Sequence, residues 1–282
     1  MKKICLIQTS IERSIELLHY IDSLNNQKGV DFSSVQYVFV DQGDNKAFFD
    51  RLDRRFDFKY VSTEPVSLSK ARNIGLKYAN SDYVCFPDDD CWYDQDTLSN
   101  VLDALKTYKD GVAIVAKDDD GTPINNFGTS PAFLTKYNQQ GVLSISIFVR
   151  YFGDMRFDEN LGVGSKYGLG SGEETDYILR LIREKGLRIR FLPNIIIRHP
   201  AGRKELTKED LEEVLLYGRG YGYVLRKNHF NPIYVAYKML RPLWGYCYYS
   251  VKGNELHRKR SLARFRGIKE GYFFKQINTD KK

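Results

Sequence analysis

Hydrophobic and polar positions alternate along the first 117 residues in a way that predicts strands and helices in turn. Short apolar runs typical of buried strands stand at 4–8, 35–40, 56–61, 83–86 and 112–116. Apolar residues at helical spacing lie between these runs, around 12–25 (Ile15, Leu18, Ile21), 69–79 (Ala71, Ile74, Tyr78) and 95–108. This alternation predicts right-handed βαβ units and a mostly parallel central sheet with helices on both faces.

The pattern changes after residue 117. Residues 117–141 are polar and interrupted by Gly and Pro, which is typical of a loop insertion. Farther on, 142–149 is strand-like, 173–183 is helical with Leu179 and Ile182 facing inward, and 187–197 predicts one or two more strands. A polar helix is predicted at 205–217, followed by a segment dominated by Gly, Tyr and Arg. We therefore predict an α/β domain over 1–204 and a mainly helical extension over 205–282.

Composition narrows the class of protein. Of the 282 residues, 42% are hydrophobic, which is normal for a globular chain with a sizeable core. The apolar run at 4–7 is too short for a signal peptide, and no uncharged apolar stretch reaches the roughly 18 residues of a spanning helix. The four cysteines lack the spacing of a metal site, and Cys5 and Cys85 lie in strand-like runs, as reduced core residues do. We expect a cytoplasmic protein.

Charge is distributed unevenly along the chain. Residues 201–282 contain 18 Lys and Arg against 8 Asp and Glu, a net charge of +10, whereas the whole chain carries +7. A near-neutral body with a basic, aromatic tail indicates that the tail faces something anionic. Nucleic acid is not the expected partner, because the charge is confined to the tail and no recognition motif is present.

The most informative motif is an apolar run that stops in three consecutive carboxylates, at residues 82–90. The run predicts a buried strand, and the carboxylates then lie at its C-terminal end, where open α/β sheets bind their ligands. Clustered like charges repel, so such a group usually has a cation to hold. One interpretation is a Mg²⁺ or Mn²⁺ site that also holds a substrate diphosphate; the other is a solvated acidic turn.

Upstream of this motif, residues 67–76 predict the start of a helix. Ser69 is the predicted N-cap, which would place Arg72 in the first turn, near the strand ends. An Arg there can pair with a phosphate or hold an acidic strand end, although a plain surface position remains the alternative.

Downstream, a glycine-rich segment at 168–172 runs into a helix that begins with Glu173 and Glu174. The helix dipole favours carboxylates there, but glycines also let backbone approach a ligand, and a carboxylate at this point can deprotonate an acceptor hydroxyl. His199 ends the last predicted strand, either as a structural residue or as an additional metal ligand.

Seven short segments, in this order, give the chain its resemblance to a known family. They are Gln8-Thr9-Ser10, Phe39-Val40-Asp41-Gln42-Gly43, Ala71-Arg72-Asn73-Ile74-Gly75, the Asp-x-Asp element from Asp88 to Asp90, Phe157-Asp158-Glu159-Asn160-Leu161-Gly162, Gly172-Glu173-Glu174-Thr175-Asp176 and His199. Together they resemble the inverting family 2 glycosyltransferases of the GT-A fold. The resemblance covers about residues 3–200.

The resemblance implies a role for each matching residue. Thr9 and Asp41 would line the base and ribose pocket, Arg72 would support that pocket or the diphosphate, and Asp88 and Asp89 would contact the nucleotide sugar. Asp90, with Asp88, would bind Mn²⁺ or Mg²⁺, and His199 would be the second protein ligand. Glu174, or else Glu173, would be the general base, with Asp176 supporting it.

The same resemblance implies the domain roles and the reaction. Residues 1–117 would bind the donor and 118–204 would form the acceptor side. A hexose would pass with inversion from a nucleotide sugar, by default a UDP-sugar, to a hydroxyl of a glycan or lipid-linked glycan in surface polysaccharide synthesis. The metal would neutralise the leaving diphosphate, and the base would activate the incoming hydroxyl.

Some features depart from the family or point elsewhere. The Pro and Asn that usually follow the first strand are missing, which leaves the nucleotide open. A second acidic triplet at 118–120 runs into Gly121 and is interpreted as a solvated turn. Two other functions are weighed: a sugar nucleotidyltransferase, whose glycine-rich phosphate loop is missing from 9–13, and a non-catalytic glycan- or lipid-binding protein, against which the retained site residues argue.

The tail has two interpretations. Tyr and Trp residues alternate with Lys and Arg over 231–275, a composition that favours peripheral contact with an anionic membrane surface. The alternative is a helical subdomain that packs its aromatic residues, Trp244 among them, in a core. The two interpretations are compatible.

Overall fold

The computed structural model describes residues 2–124, 128–139, 141–200, 206–208 and 210–275. By its internal contacts the chain divides into two compact units, one formed by Met1–Phe157 and Tyr177–Gly202, the other by Asp158–Asp176 and Arg203–Lys282. Residues 158–176 therefore group with the C-terminal segment, which the sequence pattern does not indicate. The predicted boundary between residues 204 and 205 lies outside the described residues and stays a prediction.

The first unit is built on one sheet, which has nine strands within the described residues. In chain order they are β1 (Lys2–Ser10), β2 (Val35–Asp41), β3 (Asp57–Ser62), β4 (Ser81–Cys85), β5 (Trp92–Tyr93), β6 (Gly111–Lys117), β7 (Ala132–Phe133), β8 (Ile147–Arg150) and β9 (Arg190–Arg198). The spatial order is β3-β2-β1-β4-β8-β6-β9-β5, with β7 also paired to β9. Strands β3, β2, β1 and β4 run parallel to one another, and β6 runs parallel to β9. Strand β8 pairs antiparallel with both β4 and β6, and β5 and β7 each pair antiparallel with β9.

Helices cover both faces of this sheet, as the alternating pattern predicts. They are α1 (Ser14–Asn25), α2 (Leu68–Leu76), α3 (Thr97–Thr107) and α4 (Glu173–Lys185). Successive side chains of a strand point to opposite faces. Ile4 and Leu6 of β1 accordingly join a hydrophobic cluster with α1 and α3, while Cys5 and Ile7 join a second cluster with α2 and α4.

Two details of the predicted helices are wrong. Ile15 is exposed, because the face of α1 that packs in the core carries Leu17, Tyr20, Ile21 and Leu24, and a residue two positions from Leu17 points to the opposite side. Helix α2 begins at Leu68, with the extended residue Ser67 at its N-cap, so Ser69 lies buried inside the first turn and Arg72 begins the second.

The second unit contains three helices within its described part, α5 (Asp210–Lys227), α6 (Pro232–Val251) and α7 (Glu255–Phe273). The polar helix predicted at 205–217 thus corresponds to a helix that extends ten residues farther along the chain. Trp244 is 80% exposed. The three helices confirm the predicted helical subdomain, but the exposed Trp244 is not part of its core.

Glycines allow α5 and α7 to pack with their backbones in close approach. A Cβ atom added at Gly271 would lie 1.8 Å from the carbonyl oxygen of Arg219, and one added at Gly222 would lie 2.1 Å from that of Ile268. No side chain fits at such distances. The many glycines of the C-terminal segment are therefore a requirement of helix packing.

The glycine-rich segment before α4 serves the same packing. The N–H of Gly170 donates to the carbonyl oxygen of Leu216 at 3.1 Å, and a Cβ atom added at Gly220 of α5 would lie 2.1 Å from the carbonyl oxygen of Ser171. Gly168 and Gly172 have positive φ values of 62° and 91°. Contact with α5 accounts for these glycines, whereas the sequence predicts close approach to a ligand.

No helix in the described part of the chain is long and apolar enough to cross a lipid bilayer.

The helix contact generates a stability prediction. Gly271→Ala should lower the free energy of unfolding by about 1–3 kcal/mol, the usual cost of overpacking, because the added methyl group meets backbone that cannot rotate away. The matched control is Gly245→Ala in α6, whose Cβ would meet side chain rather than backbone, namely Oγ of Ser261 at 2.8 Å and its Cβ at 3.6 Å. That hydroxyl can rotate, and Ala is the better helix former, so the control should be neutral or stabilising. Chemical denaturation of both variants checks the prediction, and equal stabilities would contradict the close approach of α5 and α7.

Candidate active site

The carboxyl ends of β1 and β2 lie side by side and form one wall of the site. In the parallel register Ser10 is paired with Asp41 and Thr9 with Val40. Parallel strands end at the same edge of a sheet, which is where ligands bind in open α/β sheets. Thr9 and Asp41, predicted to line one pocket, therefore lie at the same edge of the sheet, but since Asp41 is paired with Ser10 and side chains alternate along a strand, their side chains point to opposite faces.

Asp41 is a buried carboxylate that organises the loop after β2. Its oxygens accept hydrogen bonds from the backbone N–H of Gly43 at 3.0 Å, from the backbone N–H and side-chain amide of Asn45 at 2.8 and 2.7 Å, and from the hydroxyl of Tyr60. Burial alone would raise the pKa of Asp41, but these hydrogen bonds outweigh it and hold the pKa below its usual range. Asn45 and Tyr60 were not predicted, because only the fold brings them to Asp41.

Two residues of the Ala-Arg-Asn-Ile-Gly segment of α2, Asn73 and Gly75, make structural contacts. Gly75 packs against β1, where an added Cβ atom would lie 2.4 Å from the side chain of Ile7. The side chain of Asn73 accepts a hydrogen bond from the N–H of Phe157 at 2.8 Å and donates to the carbonyl oxygen of the same residue at 3.0 Å. These contacts hold α2 close to the sheet and fix the position of Arg72 between them.

Arg72 connects α2 to the acidic motif. Its guanidinium is almost fully buried and donates to Asp88 at 2.9 Å. The hydroxyl of Ser144 lies 3.3 Å from both oxygens of the same carboxylate. The structure thus bears out the predicted pairing of Arg72 with the acidic strand end and gives Asp88 a fixed orientation.

Asp90 and His199 meet because β5 pairs antiparallel with β9. Trp92 lies opposite Arg198 in this pairing. Because the strands run in opposite directions, Asp90, two positions before Trp92, comes close to His199, which follows Arg198. The nearest oxygen of Asp90 is 3.1 Å from Nε2 of His199. Arg198 secures the arrangement through contacts of its guanidinium with Asp94 at 3.1 Å.

Hydrogen bonding gives the imidazole of His199 a defined orientation. Its Nδ1 lies 2.8 Å from the carbonyl oxygen of Pro200, so an Nδ1–H donates there, and the hydrogen bond from Nε2 to the Asp90 carboxylate is made by the second N–H of the protonated ring. Burial alone would lower the pKa of His199, but the hydrogen bond and charge of Asp90 outweigh it and raise that pKa. Burial likewise opposes ionisation of Asp90, and His199 and Arg13 together still hold its pKa below the usual range.

Arg13 is a site residue that sequence reasoning missed. It follows β1, and its Nη1 lies 2.5 Å from Asp90 while its Nε lies 3.6 Å from Asp89. Asp89 also accepts a hydrogen bond from the hydroxyl of Ser10 at 2.6 Å. Burial nevertheless raises the pKa of Asp89, and Ser10 and Arg13 offset only part of that rise. The position of Arg13, just after the first strand, is the signal that could have identified it.

The residues present fit a divalent cation in part. Among the described residues, no group of three or more His, Cys, Asp or Glu is arranged to hold a metal ion. Asp90 and His199 do offer one carboxylate oxygen and one imidazole nitrogen side by side. Mg²⁺ and similar ions are commonly held by one or two protein ligands together with substrate phosphates and water. Asp88, predicted as a further ligand, makes its contacts with Arg72 and Ser144.

The carboxylates predicted for proton transfer belong to the second unit. Asp176 is fully buried and accepts hydrogen bonds from Lys227 at 2.8 Å and Asn228 at 3.0 Å. Glu173 is buried and Glu174 is half-buried, both in the first turn of α4. Lys227 also pairs with Asp158 at 2.6 Å, so that two acidic residues of the predicted motifs converge on one lysine.

The second acidic triplet forms a turn, in agreement with the prediction. A side-chain oxygen of Asp118 accepts a hydrogen bond from the N–H of Thr122 at 2.8 Å, and Asp119 and Asp120 are exposed.

Comparison with protein families and curated proteins shows similarity to glycosyltransferases and to a teichoic acid biosynthesis protein. The profile described as "Glycosyl transferase family 2" matches residues 12–159, which is more than half of the chain. The "Glycosyltransferase GlyA" of Streptococcus pneumoniae is 29% identical over 100 residues, 33% of this chain and 14% of that protein. The "Minor teichoic acid biosynthesis protein GgaB" of Bacillus subtilis is 26% identical over 201 residues, 60% of this chain and 22% of that protein. The chain thus spans less than a quarter of either relative.

Solved structures show the same fold. The mannosyltransferase PcManGT from Pyrobaculum calidifontis, in complex with GDP-Man and Mn²⁺, superposes with a TM-score of 0.61 at 12% identity, over 99% of this chain and 88% of that one. Residues 1–349 of S. aureus TarS, in complex with UDP-GlcNAc, superpose with a TM-score of 0.58 at 15% identity, over 99% of this chain and 95% of that one.

The predicted GT-A architecture is confirmed by these superpositions, and the family profile matches more than half of the chain. The chain belongs to glycosyl transferase family 2.

Proposed function

We propose that this protein transfers a sugar from a nucleotide-sugar donor to a hydroxyl group of a glycan acceptor, with inversion at the anomeric carbon and with the help of a divalent metal ion. The observation that carries the proposal is the contact of Asp90 with His199 at 3.1 Å, at the edge of the sheet where Thr9 and Asp41 also lie. This is the place where a nucleotide diphosphate would be bound and polarised.

In this proposal β1 and β2 hold the nucleoside. Thr9 is half-buried at the end of β1 and would face the base or ribose. The carboxylate of Asp41 already accepts four hydrogen bonds, which is about the number that a carboxylate accommodates. Asp41 would therefore act by holding the loop over 42–45 in the shape that the nucleoside needs.

The acidic motif would hold the diphosphate end of the donor. Asp90 and His199 would bind Mn²⁺ or Mg²⁺, and the bound ion would supply electrostatic stabilisation of the leaving nucleoside diphosphate. Asp88, fixed by Arg72, and Asp89 would contact the nucleotide sugar. Arg13 carries the positive charge nearest to Asp90, and we propose it as a further ligand of the donor phosphates.

Glu174 is the proposed general base, with Glu173 as the alternative. The acceptor oxygen would attack the anomeric carbon, the bond from that carbon to the diphosphate oxygen would break, and the acceptor proton would pass to the carboxylate of the base. Both oxygens of Asp176 are occupied by Lys227 and Asn228, which suits a supporting role rather than proton transfer. Its position fixes the first turn of α4, from which Glu174 extends.

A UDP-sugar donor and a cell-surface glycan acceptor are the proposed substrates. Support for the donor comes from the TarS structure, which contains UDP-GlcNAc, although the mannosyltransferase structure contains GDP-Man. Support for the acceptor comes from the Bacillus subtilis relative, which is named for minor teichoic acid biosynthesis.

The role of Asp90 can be tested by Asp90→Asn. This variant should lose nearly all transfer and donor hydrolysis at saturating Mn²⁺, because the loss of a charged ligand removes several kcal/mol of leaving-group stabilisation. Mn²⁺-dependent affinity for UDP should fall with it. Asp119→Asn, in the exposed second triplet, is the control and should behave as wild type. Activity of Asp90→Asn within about threefold of wild type would place the site elsewhere.

The base can be assigned by three conservative variants. Glu174→Gln should keep its nucleotide affinity and lose about 10²–10⁴-fold in turnover, the usual contribution of a general base. Glu173→Gln should retain more activity, and Asp176→Asn should lower stability because Lys227 loses a buried partner. Turnover and UDP affinity are measured for each variant. An active Glu174→Gln beside an inactive Glu173→Gln would move the base by one residue, and full activity in all three would rule out a base in this segment.

A further inference from the structure

Helix α6 carries a continuous row of exposed apolar side chains. The row consists of residues that are between 50% and 88% exposed, namely Ile233, Tyr237, Leu240, Trp244, Tyr248 and Val251. They follow one another at intervals of three or four, which places them on a single face of the helix. The helix has 20 residues, so the row is about 30 Å long at roughly 1.5 Å per residue. A row of this length on one exposed face indicates a surface that contacts something apolar.

The row itself has no charged residue, and the charges on the rest of α6 are all positive. Helix α6 contains no Asp or Glu, and its two charged residues are Lys238 and Arg241. Lys238 lies over the ring of Tyr234 at 5.2 Å, to one side of the row, and Arg241 is the exposed cation beside it. A helix with one apolar face and cations at its margin has the character of an interfacial helix.

Cations continue from this margin into a groove between α6 and α7. The groove has a volume of about 530 Å³ and is lined by Lys238 and Arg241 of α6 and by Arg260 and Arg264 of α7, with no Asp or Glu in its lining. Among the described residues, none of these four side chains forms an ion pair with a carboxylate. Trp244 lines the groove as well as belonging to the apolar row. The groove therefore presents uncompensated positive charge directly beside an apolar surface.

We propose that α6 is a membrane-binding helix: its apolar row enters the interface of an anionic bilayer, and the cations of the groove contact the lipid phosphates. Trp and Tyr prefer the level of the lipid headgroups, and Lys and Arg are attracted to anionic lipid. The two features occur side by side on one helix, which is the arrangement that a bilayer surface recognises. This proposal concerns a surface of the second unit and does not depend on the transfer reaction.

A second copy of the chain is a less suitable occupant of the same surface. In a two-fold symmetric pair each surface meets its own equivalent, so Arg241 and Lys238 of one copy would approach the same cations of the other. No carboxylate in α6 is available to compensate them. Lipid phosphate supplies the opposite charge that such a dimer lacks.

The chain has two tryptophans, and this makes Trp244 a direct probe. In the Trp92→Phe variant Trp244 is the remaining tryptophan. Its fluorescence should shift to shorter wavelength when vesicles of phosphatidylcholine with about 30% phosphatidylglycerol are added, and sedimentation should show the protein bound to them. Binding should weaken in high salt, since exposed charges are screened within roughly 10 Å at 0.1 M.

The decisive variant is Leu240→Ser combined with Trp244→Ser. Its partition coefficient for anionic vesicles should fall at least about tenfold, because two apolar side chains no longer leave water. Its melting temperature should stay at the wild-type value, since both residues are exposed. Ile15→Ser is the matched control: Ile15 is 80% exposed, like Trp244, but lies on α1 of the first unit, and its replacement should leave vesicle binding unchanged.

A charge variant tests the groove separately. Lys238→Gln combined with Arg241→Gln should reduce binding to anionic vesicles several-fold and should have little effect on binding to neutral ones. Analytical ultracentrifugation of wild type and of the Leu240→Ser, Trp244→Ser variant completes the test. The proposal is overturned if the wild-type protein does not bind anionic vesicles, if the serine variant binds them equally well, or if that variant instead converts an oligomer to a monomer.

Discussion

Three adjacent carboxylates can be packed at one strand end only if each has a compensating neighbour. Asp88 is held by Arg72 of α2, Asp89 by Ser10 and Arg13 at the end of β1, and Asp90 by Arg13 and His199. These neighbours come from a helix, from the first strand and from the last strand of the sheet. The geometry of the first unit therefore depends on bringing three distant segments to one point, and removal of any one of them would weaken the compensation of a partly buried negative charge.

Much of this fold follows from the sequence, because its strands and helices are long and strongly periodic. The parallel strands and the covering of both sheet faces are predicted from local pattern and order, and the pairing of Arg72 with the acidic motif is one of the alternatives that the pattern leaves open. The two-residue strands β5 and β7 are not predicted, since such short segments have no periodicity of their own. Yet β5 is the element that brings Asp90 to His199, so the contact at the centre of the site depends on a feature that local pattern does not show.

Arg13, Asn45 and Tyr60 were missed for a related reason. Each is an ordinary polar residue in the sequence and acquires a role only when the fold places it beside a particular carboxylate. The glycines at 168–172 are a different case. Sequence reasoning allows them a role in close approach to a ligand, and their contacts with α5 show a packing requirement, which a local pattern does not reveal.

The second unit combines two different surfaces. Backbone contacts at glycines join α5 to α7, while three of the six aromatic residues of α6, namely Tyr237, Trp244 and Tyr248, are exposed. Aromatic content alone is compatible with both a packed subdomain and a membrane contact; the structure shows the packed helices, and the exposed face of α6 is the surface that we propose for the membrane contact.

The proposed role of this site is to bind a nucleoside diphosphate through a divalent metal ion. Calorimetric titration of the intact protein with UDP, GDP and dTDP, each with and without Mn²⁺, tests it most directly. At least one of the three, UDP by preference, should bind with an affinity that falls at least about tenfold when Mn²⁺ is removed, a loss of about 1.4 kcal/mol in binding free energy. Absence of metal-dependent binding to all three nucleotides would rule out this assignment of the site and would favour a glycan- or lipid-binding protein on the same fold.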